Sequence, residues 1–347
     1  MKITNLPALI AAIAALLALC LAASLYGQND FGEQEAQALC AKLKDYHPGP
    51  QAQPTEADHK LFAAESETCT GYVYGPGKAR DYDKGRRCCL VKGCDRELAM
   101  IFANGWGVPR DYDAAVHFLC QAGEIAPAEQ WGMLGHVQEM RRQAQPQDLD
   151  YCEWVTSGHG MSWCQGLEID HRAPDWDRRV ETVSSSLPAA ARAALKTLRK
   201  AADTFAEADG GLTALIHYGG TIYSSQVLAG EQAQTEAFLT ALESYAVKRA
   251  PAATAAGFES ADRALNAAYQ QQKIKVKADD KELQRNQVGE DTLRDAQRAW
   301  IPYRDAWKTF YRLRWKGSAA PEALDREIAT ALTTMRAEEL RKVGSEE

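Results

Sequence analysis

The sequence predicts an all-α protein, with a short disulfide-clipped helical repeat (solenoid) region followed by a helical bundle. Three observations carry this. Within residues 289–316, Leu293, Ala296, Trp300, Tyr303, Trp307 and Phe310 recur at three- and four-residue steps, which puts them on one face of a long helix. Residues 74–93 repeat at 104–123 with glycines and aspartates at matched positions, the mark of stacked two-helix units. All nine cysteines lie at or before Cys164, and the second half of the chain has none.

The chain opens with one Lys and an apolar run over residues 6–25, a secretory signal pattern. Ala22 and Ser24 place small residues for cleavage after Ser24, making 1–24 a signal peptide. The run is also long enough to span a bilayer, so an uncleaved anchor is the alternative. A lipidated Cys20 is disfavoured by the bulky Leu19 before it. Either way, the rest of the chain is expected outside the cytoplasm, periplasmic or secreted, touching a membrane only through this segment. A formal charge of -7 argues against a nucleic-acid partner. From Phe258 to the end the net charge is +1 and in the remainder it is -8, so the acidic surface belongs to the front.

Residues 31–170 form the expected repeat region. A helix is predicted from Asp30 to Lys44, then a linker at Pro48, Pro50 and Pro54. In the repeat, Gly75 matches Gly105, Gly77 matches Gly107, Arg80-Asp81-Tyr82-Asp83 matches Arg110-Asp111-Tyr112-Asp113, and Gly93 matches Gly123. Each block reads as helix, Gly-x-Gly turn, Asp-capped helix and Gly stop. Behind an export signal, the eight cysteines Cys40, Cys69, Cys88, Cys89, Cys94, Cys120, Cys152 and Cys164 read as disulfide partners. Cys69 and Cys88 lie equally far from a turn centred near Lys78 and are expected to bond. Cys88 and Cys89 point different ways on a helix and need different partners. A continuous helix would hold Cys152 and Cys164 about 18 Å apart, so the glycines flanking His159 must break it if they are to meet. His159 reads as a turn histidine, and His47, His59, His117, His136, His171 and His217 are scattered. No spacing suggests a metal or other cofactor.

The run Glu97 to Val108, followed by Arg110-Asp111-Tyr112 and Ala114-Ala115, resembles the Sel-type repeat, a relative of the tetratricopeptide repeat. The first copy is a degraded match, and residues 126–140 look like the opening helix of a third. The resemblance covers roughly 57–142. It implies protein–protein binding, with disulfides clipping helix pairs.

Residues 171–187, with Pro174 and a Ser run, read as a linker to a helical domain over 188–347. A helix is expected from Ala189 to Glu207, ended by Asp209-Gly210-Gly211. Gly219-Gly220 interrupts the next helical region, which runs to about Ala250, and Pro251 precedes a helix over 258–284. On that helix Asp262, Leu265, Asn266 and Tyr269 share one face. Leu265 and Tyr269 are core by default; Asp262 and Asn266 need partners if buried, and Gln297, Arg298, Arg304 and Asp305 across the bundle are the candidates. Arg304, Lys308 and Arg312 share a face of the tryptophan helix and read as solvated, with Asp305 nearby. Pro302 removes a donor within that helix and either bends the stripe round the core or exposes Trp300 and Tyr303.

Residues 260–269 followed by 293–307 resemble the LprI-type domain, whose pattern is Asp-x-x-Leu-Asn-x-x-Tyr and, after a gap, Leu-Arg-x-Ala-Gln-Arg-Ala-Trp-Ile-x-Tyr-Arg-Asp-Ala. The match is good over roughly 258–315. It places Asp262, Leu265, Asn266, Tyr269, Gln297, Arg298, Trp300, Tyr303, Arg304 and Asp305 in the family motif. Many members carry a cysteine where this chain has Trp307 and Lys308, so a disulfide closing the domain is not expected here. The resemblance implies an exported bacterial envelope protein that binds a protein partner, with lysozyme inhibition named for the founding member. Two other classes stand beside it: a repeat-based adaptor for another envelope protein, and an enzyme acting on cell-wall or antibiotic substrates. Against the enzyme, the sequence holds no visible nucleophile–base, metal or paired-carboxylate constellation.

Overall fold

The computed structural model describes residues 31–64, 69–75 and 79–344, and every regular element among them is helical. The expected signal or anchor segment, Gly77 and Lys78 lie outside the described residues. Among the described residues, no helix is long and apolar enough to cross a membrane. The chain divides into two units, one of residues 1–73 with 80–154, the other of residues 74–79 with 155–347.

The first unit holds α1 (Glu33–Leu43), α2 (Glu56–Ala64), most of the short α3 (Thr70–Tyr74), α4 (Tyr82–Lys92), α5 (Asp95–Asn104), α6 (Tyr112–Gln121) and α7 (Pro127–Met140). The two matched aspartates do the same job in each copy. Asp81 accepts from the backbone N–H of Lys84 and Asp111 from that of Ala114, both at 2.9 Å, satisfying amides that the first helical turn leaves open. Gly105 and Gly107 adopt left-handed φ of 72° and 68°, which turns α5 back into α6. Leu98, Ile101 and Phe102 from α5 and Val116 and Leu119 from α6 are buried, and Phe102 stacks on Phe118. Gly93 ends α4 in the left-handed conformation with φ 77°. Gly123 does not repeat this role, because α6 stops at Gln121 with Ala122 as its last capping residue.

Cys40 is bonded to Cys120, and Cys69 to Cys88. Cys152 and Cys164 each take part in a disulfide. Cys89 and Cys94 carry free thiols in this structure. The proline linker coils into a single turn over Pro50–Ala52.

The second unit is a bundle of six helices: α8 (Gly158–Ser185), α9 (Ala189–Thr213), α10 (Tyr223–Val247), α11 (Ala255–Glu282), α12 (Val288–Arg314) and α13 (Pro321–Lys342). α8 begins at the glycines flanking His159, where the Ser157 hydroxyl caps it by accepting from Gly160 N–H at 3.1 Å. The expected linker at 171–187 is instead mostly the second half of this helix, which runs through Pro174. Side-chain bonds hold it on α10: Trp176 Nε1 donates to Glu236, and Arg179 reaches both Glu236 and Glu243. Asp209-Gly210-Gly211 does not end α9 either. A Cβ on Gly210 would sit 2.6 Å from the Val227 carbonyl oxygen, so this glycine lets α9 and α10 approach closely.

The tryptophan helix α12 starts without a cap of its own, from Gln287 at φ 69°. Asp280, on the preceding helix, supplies the missing acceptor. Its carboxylate takes the N–H of Gly289 and of Glu290 at 2.8 and 3.1 Å and Arg285 Nε at 3.0 Å. A Cβ at position 289 would meet Asp280 Oδ1 at 2.8 Å and Val276 Cβ at 3.0 Å. Because that carboxylate is fixed by several bonds, Gly289→Ala is expected to cost about 1–3 kcal/mol, read as a lower urea midpoint at unchanged slope.

Candidate functional site

The six stripe residues of α12 all lie in the core, Trp300 and Tyr303 included. The helix continues through Pro302, which is exposed beside Ile301 on the outer face. The stripe therefore organises the bundle: Tyr303 stacks on Phe205 at 5.1 Å, and Trp307 packs edge-on to Phe238, Tyr245 and Phe310.

The polar motif residues do not meet as the spacing suggests. Asp262 accepts from Asn266 Nδ2 at 3.0 Å along their own helix, and Asn266 is exposed. Leu265 is buried and Tyr269 half-buried against the core. Arg298 faces Asp295 at 3.9 Å. Arg304 pairs with its neighbour Asp305 and lies over the Trp300 ring at 5.1 Å. Lys308 is 3.9 Å from Asp305, and Arg312 is 3.4 Å from Asp325. The basic face of α12 is thus matched by carboxylates, at separations where solvent leaves such pairs little energy. Only Gln297 turns inward, and its partner is Arg336, on a helix that the spacing did not single out.

Arg336 is the centre of a buried polar cluster. Its side chain is 1 % exposed and that of Asp209, on α9, is 2 % exposed. Arg336 Nη1 lies 2.8 Å from Asp209 Oδ1, an ion pair without hydrogen-bond alignment, and donates to Glu339 at 3.1 Å. Its Nε donates to Gln297 Oε1 at 3.4 Å, and the guanidinium lies over the Phe205 ring at 5.0 Å. Gln234, on α10, donates to the other Asp209 oxygen at 2.6 Å. Two carboxylates share one cation here. A void of about 20 Å³ beside them, bounded by Trp300, Tyr303 and Glu339, is far below the size of a ligand pocket.

Burial pushes the Glu339 carboxyl above its usual 4.5; Arg336 works against this and Asp209 adds to it. A folded value above the unfolded one means that this group's contribution is complete below pH 4.5 and is lost as pH rises through the folded value. Glu339→Gln, which holds the neutral form, is therefore expected to raise the melting temperature at pH 7 and to leave it unchanged at pH 4. Equal shifts at both pH values would refute the burial argument.

A second cluster fastens the α10–α11 connection. Arg249 forms a two-pronged ion pair with buried Glu327, and the Tyr311 hydroxyl donates to Glu327 at 3.1 Å while accepting from Ala250 N–H at 2.8 Å. Burial and Glu327 push the Tyr311 hydroxyl up to about 12. Trp315 Nε1 and Arg314 Nε donate to the Tyr245 and Ala246 carbonyls nearby. An open cleft of about 430 Å³ lies between α8 and α9, with Arg192, Lys196 and Arg199 interleaved with Asp177, Glu181 and Asp203. Arg199 pairs with Asp177 and Asp203, and Arg192 donates to the Ser184 and Leu187 carbonyls; none of these described clusters pairs a nucleophile with a base.

Residues 245–340 match the model of a family described as Lysozyme inhibitor LprI. No curated protein and no solved structure matches the chain. The matched segment runs from the end of α10 to all but the last residues of α13. It contains the Arg249–Glu327–Tyr311 cluster whole, but only part of the Arg336 cluster. Asp209, Phe205 and Gln234 come from before residue 245, so α9 and α10 complete the polar core of the matched segment. Asp209 was hidden in what reads locally as a helix stop. Arg336 stands alone on a helix of weak periodicity, and no spacing signal marks it.

Proposed function

We propose that this chain is an exported protein-binding factor of the bacterial envelope whose LprI-type domain inhibits lysozyme. The observation that carries the reading is the match of residues 245–340 to the family described as lysozyme inhibitors. Disulfides in the front half support export, because such bonds persist in oxidising compartments. A binding role also agrees with the chemistry of the clusters, in which side chains secure helices to one another. The acidic excess lies in the front half, so a basic lysozyme would be drawn there, and association would slow as salt rises. Purified chain at micromolar excess is expected to lower the activity of at least one lysozyme type on isolated cell walls. Full residual activity across several lysozyme types would overturn the proposal.

A second reading rests on the paired helices α5 and α6, with their Gly-x-Gly turn and aspartate cap. These support a Sel-type repeat region over 31–170 that serves as an adaptor for another envelope protein. In this reading a periplasmic partner is retained by the whole chain and lost when residues 57–170 are removed.

A further inference from the structure

We infer that Cys89 and Cys94 form a further disulfide, a clip across the end of α4 that locks it to the start of α5. The backbone brings the two together. Gly93 caps α4 in the left-handed conformation, its N–H donates to the Cys89 carbonyl at 2.7 Å, and Cys94 N–H donates to the same carbonyl at 3.2 Å. The second bond is the one that closes a Schellman motif, in which the residue after the left-handed cap folds back over the residue four positions before that cap. That contact is ordinarily between two apolar side chains. Here both positions are cysteines.

The sulfurs confirm the approach. Those of Cys69, Cys89 and Cys94 all lie within 4.8 Å of one another. Three sulfurs this close could hold a soft metal ion, but Cys69 is already bonded to Cys88, which leaves two ligands where a structural zinc site takes four. Cys89 is fully buried and Cys94 is half-buried, so solvent reaches the pair only from the Cys94 side. Cys94 caps α5 through its backbone and its side chain makes no capping bond, which leaves the thiol available.

Closure needs an oxidant, and its class is a disulfide such as oxidised glutathione or the active-site disulfide of an oxidoreductase. The Cys94 thiolate attacks one sulfur of that disulfide, a mixed disulfide forms, and the other sulfur leaves as a thiol. The Cys89 thiolate then attacks Cys94 Sγ, the Cys89–Cys94 bond forms, and the second oxidant sulfur leaves. Two electrons pass to the oxidant and both protons of the pair are taken up by its leaving sulfurs. Hydrogen bonding to Cys94, burial and the nearby Glu97 and Asp95 push the Cys89 thiol up, so the second attack is the slow step and quickens with rising pH.

The arrangement of lysines and arginines makes the test direct. Trypsin cuts after Lys60, Lys78, Arg87, Lys92 and Arg96, which places Cys69, the Cys88-Cys89 pair and Cys94 on three peptides: 61–78, 88–92 and 93–96. The full chain is incubated with oxidised glutathione, alkylated and digested without reduction. One species containing all three peptides and no alkylated thiol is expected. Recovery of 93–96 with an alkylated Cys94, while 61–78 remains bonded to 88–92, would overturn the inference. The pairing within the three-peptide species is read from Cys94→Ser, a near-isosteric change. There the alkyl group is expected on Cys89, with Cys88 still bonded to Cys69. An alkyl group on Cys88 instead would show that Cys94 pairs with Cys88 and would equally overturn it.

Discussion

Arg336→Met is expected to destabilise the second unit by about 3–5 kcal/mol, against the 5–15 kcal/mol total of an ordinary domain. Methionine keeps much of the apolar volume over Phe205 but removes the cation that faces both Asp209 and Glu339. Asp209 is then a buried carboxylate with Gln234 as its remaining donor, and a charge in that position is expensive. The decisive comparison is the double variant Arg336→Met/Asp209→Asn, which removes the stranded charge along with the cation. It is expected to recover more than half of the loss, since isolated buried charges cost more than absent pairs. Arg336→Lys should lose part of the stability as well. An ammonium cannot stack on Phe205 while reaching Gln297, Glu339 and Asp209 with one rigid fork. Urea unfolding followed by fluorescence reads all three, because Trp300 and Trp307 are buried in the same core. A single-variant loss below about 1 kcal/mol, the range of exposed pairs, would show that water reaches the cluster.

The features legible from the sequence are those whose cause is local. The period of α12 is visible because an apolar stripe on a long helix has to be covered, whatever covers it. The aspartate caps at Asp81 and Asp111 and the glycine turn at 105–107 are visible because they answer to backbone groups a few residues away. The Cys69–Cys88 bond followed from distance along two antiparallel helices. The misread features are those whose cause lies on another helix. Asp209-Gly210-Gly211 has the composition of a helix stop, yet Gly210 is small because the Val227 carbonyl passes over it, and Asp209 is acidic because Arg336 faces it. Pro174 and the serines near 184 suggested a linker, but bonds from Trp176 and Arg179 to α10 hold the segment helical. The spacing of Asp262 and Asn266 points to partners across the bundle only if their face is buried. Their positions are open enough to solvent for a bond to each other along the helix to suffice.

The same distinction between local and distant causes governs the Cys40–Cys120 bond, which no spacing argument could single out among eight cysteines. It closes a loop of sequence separation 80, far longer than the separation of 19 closed by Cys69–Cys88. Replacing both cysteines with serine is expected to cost about 4 kcal/mol, since the entropy of closing so long a loop returns to the unfolded chain. The structure adds a reason to expect the loss to be felt first in α1. That helix buries only Ala36 and Leu43, and beyond the disulfide its polar anchors are the Tyr46 hydroxyl, which donates to Asp111 at 2.8 Å, and the Leu43 carbonyl, which bonds buried His117 at 2.9 Å. Two small apolar contacts do not offset the ordering of eleven residues, so the disulfide is what keeps α1 docked. In the serine variant, the amides of 36–43 should exchange with solvent fast at urea concentrations that leave α12 protected, and trypsin should cut after Lys42 and Lys44 before any site in the bundle. Unchanged protection of α1 would place its anchoring in Tyr46 and His117 instead. Tyr46→Phe in the serine background would then release the helix, whereas Tyr46→Phe with the disulfide intact would not.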